Sequence, residues 1–239
     1  MESPQVLLVG ISGCSSSGKT TLAKLSAELL PTAVLIHQDD FFKHDEDIPF
    51  NDKYQIRDWD SPEALDMNLF GKELDHIKKT GSVSTTLIHN NNHDNSGAAE
   101  VRPETQKEVK TKFAKAFEGT NTKVVFVDGF MMFNDQNIKS KFDLKLLVRA
   151  PYGTLKKRRA ARSGYQTLDS FWIDPPYYFD EFVYSSYARS HSQLFEDGNV
   201  EGVLKKGSGI LDFINDDSTD INDALLWVCN CVVSMAQKK

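Results

Sequence analysis

The chain has 239 residues, 40% of them apolar and 26% charged, with a formal net charge of −6. This is the make-up of a soluble globular protein; the acidic balance argues against a general nucleic-acid binder, and no apolar run reaches membrane-spanning length. Three cysteines (Cys14, Cys229, Cys231) are too few for a disulfide framework or a zinc cluster, and "MESPQ" does not read as a secretory signal, so a cytoplasmic location is expected, with the nucleus also open.

The first expected element is a buried strand, Gln5–Ile11. It runs into "GCSSSGKT" (Gly13–Thr20), which fits G-x-x-x-x-G-K-[ST]. Glycines and small residues let backbone N–H groups turn inward around an anion, and the following helix adds its own unpaired N–H groups. In such a loop Lys19 reaches the β- and γ-phosphates of a nucleotide, and the Thr20 hydroxyl ligates Mg²⁺. Leu22, Leu25 and Leu29 lie at helical spacing behind it, and Pro31 stops the run.

A second strand is expected at Ala33–His37, followed by Asp39 and Asp40 in "HQDDFF". Carboxylates at a strand end suit Mg²⁺ or proton acceptance from a hydroxyl; capping a turn is the other reading, and for Asp40 the two stay level. "RDWD" sets Trp59 beside Asp60, a ring to stack on a flat base and a carboxylate to accept ribose hydroxyls. A helix is expected from an N-cap at Ser61 to a stop at Gly81, with Leu65, Leu69, Leu74 and Ile77 as its apolar stripe. Asn90–Gly97 reads as a surface loop. A further helix is expected with a Thr105/Glu108 capping box, Val109, Phe113 and Phe117 on one face, and an end at Gly119.

Lys123–Phe130 and Phe142–Ala150 read as strands three and four, with a weaker fifth near Asn199–Leu204. Asp128 closes the third, in a place to hold magnesium through water, to contact substrate or to cap a turn. "KKRRAARSGYQ" (Lys156–Gln166) packs five basic residues into seven positions. It reads as a solvated helix face, a nuclear import signal or a lid over a nucleotide. The phosphate loop favours the lid, with Arg158 and Arg162 on one face and Arg159 on a neighbouring one. Gly164–Phe182 is rich in aromatic rings, most of which are expected in the core. A C-terminal helix carrying Leu225, Leu226, Val228, Val232 and Val233 completes the pattern. Strands alternating with helices predict a parallel sheet covered on both faces, with ligands at the carboxyl ends of its strands.

Taken in order, "GISGCSSSGKTTLAKL", "LIHQDDFFKHD", "WDSPEALD", "VDGFMMFN", "LVRAPYGTLKKRRAARSGYQTLDSFWIDPPYYFDEFVY" and "FINDDS" resemble the nicotinamide riboside kinases, especially their fungal branch. The resemblance implies a P-loop kinase fold in one domain over residues 1–239, with an insertion around 89–122 and a lid around 154–168. It implies phosphorylation of the 5′-hydroxyl of nicotinamide riboside, and of nicotinic acid riboside, with ATP as donor and Mg²⁺ as cofactor. By position, Gly13, Cys14, Ser15, Ser16, Ser17, Gly18, Lys19, Thr20 and Thr21 cradle ATP, with Arg158 and Arg162 above it. Thr20 and Asp39 hold Mg²⁺; Lys19 and Asp39 are the catalytic pair, Asp39 also serving as base. Trp59 and Tyr165 stack on the pyridine ring, Asp60 binds ribose hydroxyls, and Arg159 contacts substrate. Asp40, Phe41, Phe42 and Gln166 complete the substrate side, and "NDDS" (215–218) flanks adenine. Asp128 stands where some animal members have Glu, and no function transfers to the insertion. Small molecules are the expected partners, with no nucleic acid and no membrane; oligomeric state is left open. The rival within enzymes is a uridine or other nucleoside kinase of the same fold. A GTP-hydrolysing switch lacks its N-K-x-D motif here, and a non-catalytic interaction protein sits badly with an intact Lys19, Thr20 and Asp39.

Overall fold

Five parallel strands form the central sheet in the computed structural model, which describes residues 4–84 and 100–238. They are β1 (Gln5–Ser12), β2 (Val34–His37), β5 (Thr122–Gly129), β6 (Leu144–Arg149) and β9 (Leu211–Ile214), in the order β2-β5-β1-β6-β9. β1 is buried along seven of its eight residues. This explains its unbroken apolar run: helices cover both faces of a parallel sheet, so neither set of alternating side chains meets water.

One face is packed by α1 (Lys19–Leu29), α3 (Pro103–Phe117) and α7 (Ile221–Ala236). Their Leu22, Leu29, Val109, Phe113, Leu225, Val228 and Val232 meet Leu7, Val9, Ile11, Val124 and Phe126 of the sheet. The other face is packed by α2 (Met67–Thr80) and α4 (Gln136–Lys141). Phe70, Leu74, Ile77 and Ile138 lie there against Leu8, Val125 and Leu147. Two small hairpins, β3/β4 (Phe50–Asn51 with Ile56–Arg57) and β7/β8 (Tyr165–Gln166 with Phe171–Trp172), stand apart from the sheet. α5 (Tyr152–Ala160) leads to the second hairpin, and a π-helical turn at Phe179–Tyr184 runs into α6 (Ser185–His191). No helix among the described residues is long and apolar enough to cross a membrane.

Four expected strands are present within a residue or two of their expected ends; the fifth is elsewhere. Asn199 accepts from the Glu201 N–H and its carbonyl from Gly202, which turns the chain there. Leu204 keeps only an isolated bridge to Phe195, and Leu211–Ile214 pairs with β6 instead. The helix expected from Ser61 starts later. Pro62–Ala64 makes one 3-10 turn, Leu65 is extended, and α2 begins after Asp66, whose carboxylate accepts the Leu69 N–H at 2.8 Å. Leu65 is drawn out of the helix by its bridge to Phe42, so tertiary pairing overrides the local signal. Gly81 does end α2, at φ 69°. Leu65 and Leu69 do not belong to its buried stripe, since Leu69 is exposed; Phe70 takes the place. α3 likewise has Arg102 as its N-cap and starts at Pro103, so Thr105 lies inside the helix and not at its cap. Arg102 instead ties the helix start to α7, its N–H donating to Asn222 and its guanidinium pairing with Asp220. The surface loop expected at Asn90–Gly97 lies outside the described residues, and of 89–122 only 100–122 is described.

Candidate active site

The phosphate-loop sequence lies between β1 and α1, at the carboxyl edge of the sheet. Its conformation explains its residues. Gly13 has φ 156°, and a Cβ there would stand 2.1 Å from the Val148 carbonyl oxygen of β6. Gly18 has φ 96°, and a Cβ would meet the Asn215 side chain at 2.4 Å. Ser16 takes φ 66°, and Ser17 N–H closes the turn onto the Cys14 carbonyl. The hydroxyls of Ser16 and Ser17 are buried without a hydrogen-bond partner among the described residues. Lys19 opens α1 and is 8% exposed, close enough to Asp60 and Asp128 for its charge to lower both their pKa values. A buried ammonium of this kind is costly unless an anion joins it, and α1 turns its positive end the same way. Cys14 differs from its neighbours: its thiol packs in the core behind the loop, and burial pushes its pKa up to about 12. Only its backbone serves the loop.

Next to the loop, β5 delivers Asp128. Its Oδ2 accepts the Thr20 hydroxyl at 2.5 Å, and its Oδ1 pairs with Nδ1 of His37, the last residue of β2. The parallel register sets this up, because His37 stands opposite Asp128 on the neighbouring strand. Burial alone would raise the Asp128 pKa; the bond and charge of His37, with Lys19 and Thr20, hold it below its ordinary value. Burial works against the charged form of His37 too, but Asp128 outweighs it and raises the His37 pKa. One residue past Gln38, Asp39 lines the same cavity as Lys19 and Thr20. Thr20, Asp39 and Asp128 offer hydroxyl and carboxylate oxygens, the donor type a hard divalent cation takes.

The cavity encloses about 740 Å³, including the part open to solvent. Five rings are among its lining residues: Phe42, Trp59, Phe130, Tyr165 and Trp172. Phe42 and Phe130 stack with centroids 5.9 Å apart, and Trp59 meets Phe42 edge-on at 5.8 Å. The Phe42–Leu65 bridge ties the chain that follows Trp59–Asp60 to the end of the 3-10 turn Gln38–Phe41, which carries Asp39. Asp60 and Arg159, each 7% exposed, line the same cavity. Arg159 donates to Ser15 Oγ at 2.8 Å, to Asp174 at 2.6 and 3.1 Å, and to Asp60 at 3.4 Å. Its guanidinium also lies 4.3 Å from the centre of the Tyr165 ring. Burial raises the pKa of Asp60 against the lowering influence of Arg159.

The expected site residues therefore divide. Ser15, Lys19, Thr20, Asp39, Phe42, Trp59, Asp60, Arg159, Arg162, Tyr165 and Gln166 line one cavity. Phe41 does not; it is 1% exposed and packs on Phe70 in the core. Asp40 stands off the cavity wall, where its charge acts on His37. Thr21 is half-buried in the first turn of α1, also off the wall. Arg158 and Arg162 do not share a helix face. α5 ends at Ala160, so Arg162 lies beyond it, over the Tyr165 ring at 5.3 Å. Arg158 turns to the loop after β9, donating to the carbonyls of Asn215 and Asp216. Sequence reasoning missed Phe130, Thr167, Leu168, Trp172 and Asp174. Asp174 anchors both Arg159 and Trp172 Nε1 (2.8 Å). The available signal was the ring-rich 164–182 stretch, where most rings were expected in the core; only Tyr178, Phe179 and Phe182 of its seven are, while Tyr165 and Trp172 line the cavity and Phe171 is exposed.

Residues 8–162 match the model of the phosphoribulokinase / uridine kinase family. A nicotinamide riboside kinase of Saccharomyces cerevisiae is 57% identical over 240 residues, covering 99% of this chain and 100% of that protein. One from Eremothecium gossypii is 48% identical, over 95% of this chain and 93% of its own. A uridine kinase of Borreliella burgdorferi is 31% identical over 65% of this chain and 66% of its own.

Proposed function

The chain belongs to the phosphoribulokinase / uridine kinase family, in its nicotinamide riboside kinase branch, and on that premise we propose that its cavity is where the 5′-hydroxyl of nicotinamide riboside takes the γ-phosphoryl group of ATP. One observation supports this reading: a single cavity is lined by Lys19, Thr20 and Asp39, by Asp60 and by the rings Trp59 and Tyr165, and Arg159 joins these groups through Ser15, Asp60 and the Tyr165 ring. These groups suit a nucleoside lying with its sugar toward phosphate and its flat ring toward Trp59 and Tyr165.

In this reading Gly13–Thr20 hold the triphosphate through backbone N–H groups, and Lys19 neutralises charge that builds on the transferred group. Asp39 accepts the proton of the attacking hydroxyl. Asp60 accepts the ribose hydroxyls, and Asp174 keeps Arg159 from collapsing wholly onto Asp60. Thr20 and Asp39, with Asp128 orienting the Thr20 hydroxyl, are the residues that would hold Mg²⁺; when bound, the ion offsets phosphate charge. Rings are the right wall for a cationic pyridinium, whose attraction to an aromatic face is worth about 0.5–2 kcal/mol. A uridine site needs hydrogen bonds to the edge of the base. Gln166, the amide on this wall, already donates to the Thr167 and Ser170 carbonyls.

The whole chain acts as one kinase domain, with 154–168 as its lid and small molecules as its partners. The same site takes nicotinic acid riboside, and the protein works in the cytoplasm. The test is product identity. Incubation with nicotinamide riboside and ATP should give a 5′-monophosphate, seen by the coupling of its ³¹P signal to the C5′ protons. Phosphate on another oxygen, or none, would overturn the assignment.

A further inference from the structure

We infer that Asn215 is a positioning residue of the phosphate loop: its side-chain amide fixes the Ser17–Gly18 peptide so that the Gly18 N–H faces the phosphates, and it ties this setting to the lid helix. The inference rests on reading Gly13–Thr20 as a phosphate loop.

Asn215 follows β9 and is 9% exposed. Its Nδ2 donates to the Ser17 carbonyl at 2.8 Å, a buried bond across 198 residues of sequence. In a planar trans peptide the C=O and the next N–H point in opposite directions. With the Ser17 carbonyl turned back onto Asn215, the Gly18 N–H points away from Asn215, and the next two residues, Lys19 and Thr20, line the cavity. Gly18 at φ 96° is part of the same fit, since a Cβ there would stand 2.4 Å from Asn215 Nδ2. The backbone of Asn215 is held as firmly. Its N–H donates to the Arg149 carbonyl of β6 at 2.7 Å, and its carbonyl accepts Arg158 of α5 at 2.9 Å. One residue thus joins sheet, lid helix and phosphate loop. Flanking adenine, the part expected of 215–218, needs none of the Ser17 contact.

The discriminating ligand is inorganic tripolyphosphate, which has the phosphates of ATP but no base. Calorimetry with magnesium present measures it, ATP and nicotinamide riboside on the full chain. Asn215→Ala should weaken tripolyphosphate and ATP alike by about tenfold, the scale of one lost hydrogen bond, and leave nicotinamide riboside within about twofold. Asn215→Asp keeps the size but faces the Ser17 carbonyl with an acceptor, so it should bind both phosphates more weakly than Asn215→Ala. A variant that loses ATP affinity but keeps tripolyphosphate affinity would place Asn215 at the base and overturn the proposal. So would wild-type affinity for both, or failure of both variants to fold. A wild-type chain that ignores tripolyphosphate would overturn the phosphate-loop reading itself, and this inference with it.

Discussion

At the scale of single residues, Lys19 and Asp39 separate by what they lose. On the proposed reading Lys19→Ala removes the buried cation that neutralises the transferred group, so kcat should fall roughly 10²-fold or more while the fold, followed by circular dichroism, is kept. Near wild-type turnover would break the phosphate-loop assignment. Asp39→Asn keeps the shape of the side chain but not its basicity. The kcat should drop much more than the KM for nicotinamide riboside rises; a change in KM alone would move Asp39 out of the chemistry. Both residues were legible because their motifs are local. Phe130 and Asp174 were not. Phe130 enters the cavity wall just after β5, and Asp174, just after β8, acts on the site only through Arg159 and Trp172, contacts that no local pattern specifies. Phe41 misled for the same reason: beside Phe42 in sequence, it faces the core instead.

At the scale of elements, sequence was sound for buried strands and weak at helix starts. β1 and β5 announce themselves because both their faces are covered. β9 is an edge strand of four residues with Leu211 and Ile214 exposed, so it carries no such run. For α2 the local signal at Ser61 lost to the Phe42–Leu65 bridge, and the cap moved to Asp66. Asp66→Ala should therefore cost about 1 kcal/mol of stability, the worth of an N-cap, measured by urea unfolding. Ser61→Ala removes only a 3.3 Å bond to the Asp58 carbonyl and should cost less. The reverse ranking would restore the helix start to Ser61.

At the scale of the whole molecule, acid stability should depend on a histidine far from the chemistry. His191 is fully buried, its Nδ1 bonded to the Tyr187 carbonyl, and burial lowers its pKa from 6.5 to about 4. Between those values the unfolded chain binds the proton and the folded chain does not. This contribution is complete above pH 6.5 and is lost as pH falls toward 4, roughly 3 kcal/mol in all. His37 has the opposite sign: its raised pKa adds stability below 6.5 that is lost as pH climbs through the folded value. His191→Gln should flatten the decline in unfolding free energy between pH 6.5 and 4; an unchanged slope would assign that decline to other groups. The central claim, a kinase whose aromatic wall selects a pyridine riboside, is tested most directly by kcat/KM for nicotinamide riboside and uridine, in wild type and in Trp59→Ala. The account predicts that wild type prefers nicotinamide riboside and that Trp59→Ala costs it roughly 1–2 kcal/mol while uridine changes less. A wild-type preference for uridine, or a preference untouched by Trp59→Ala, would contradict it.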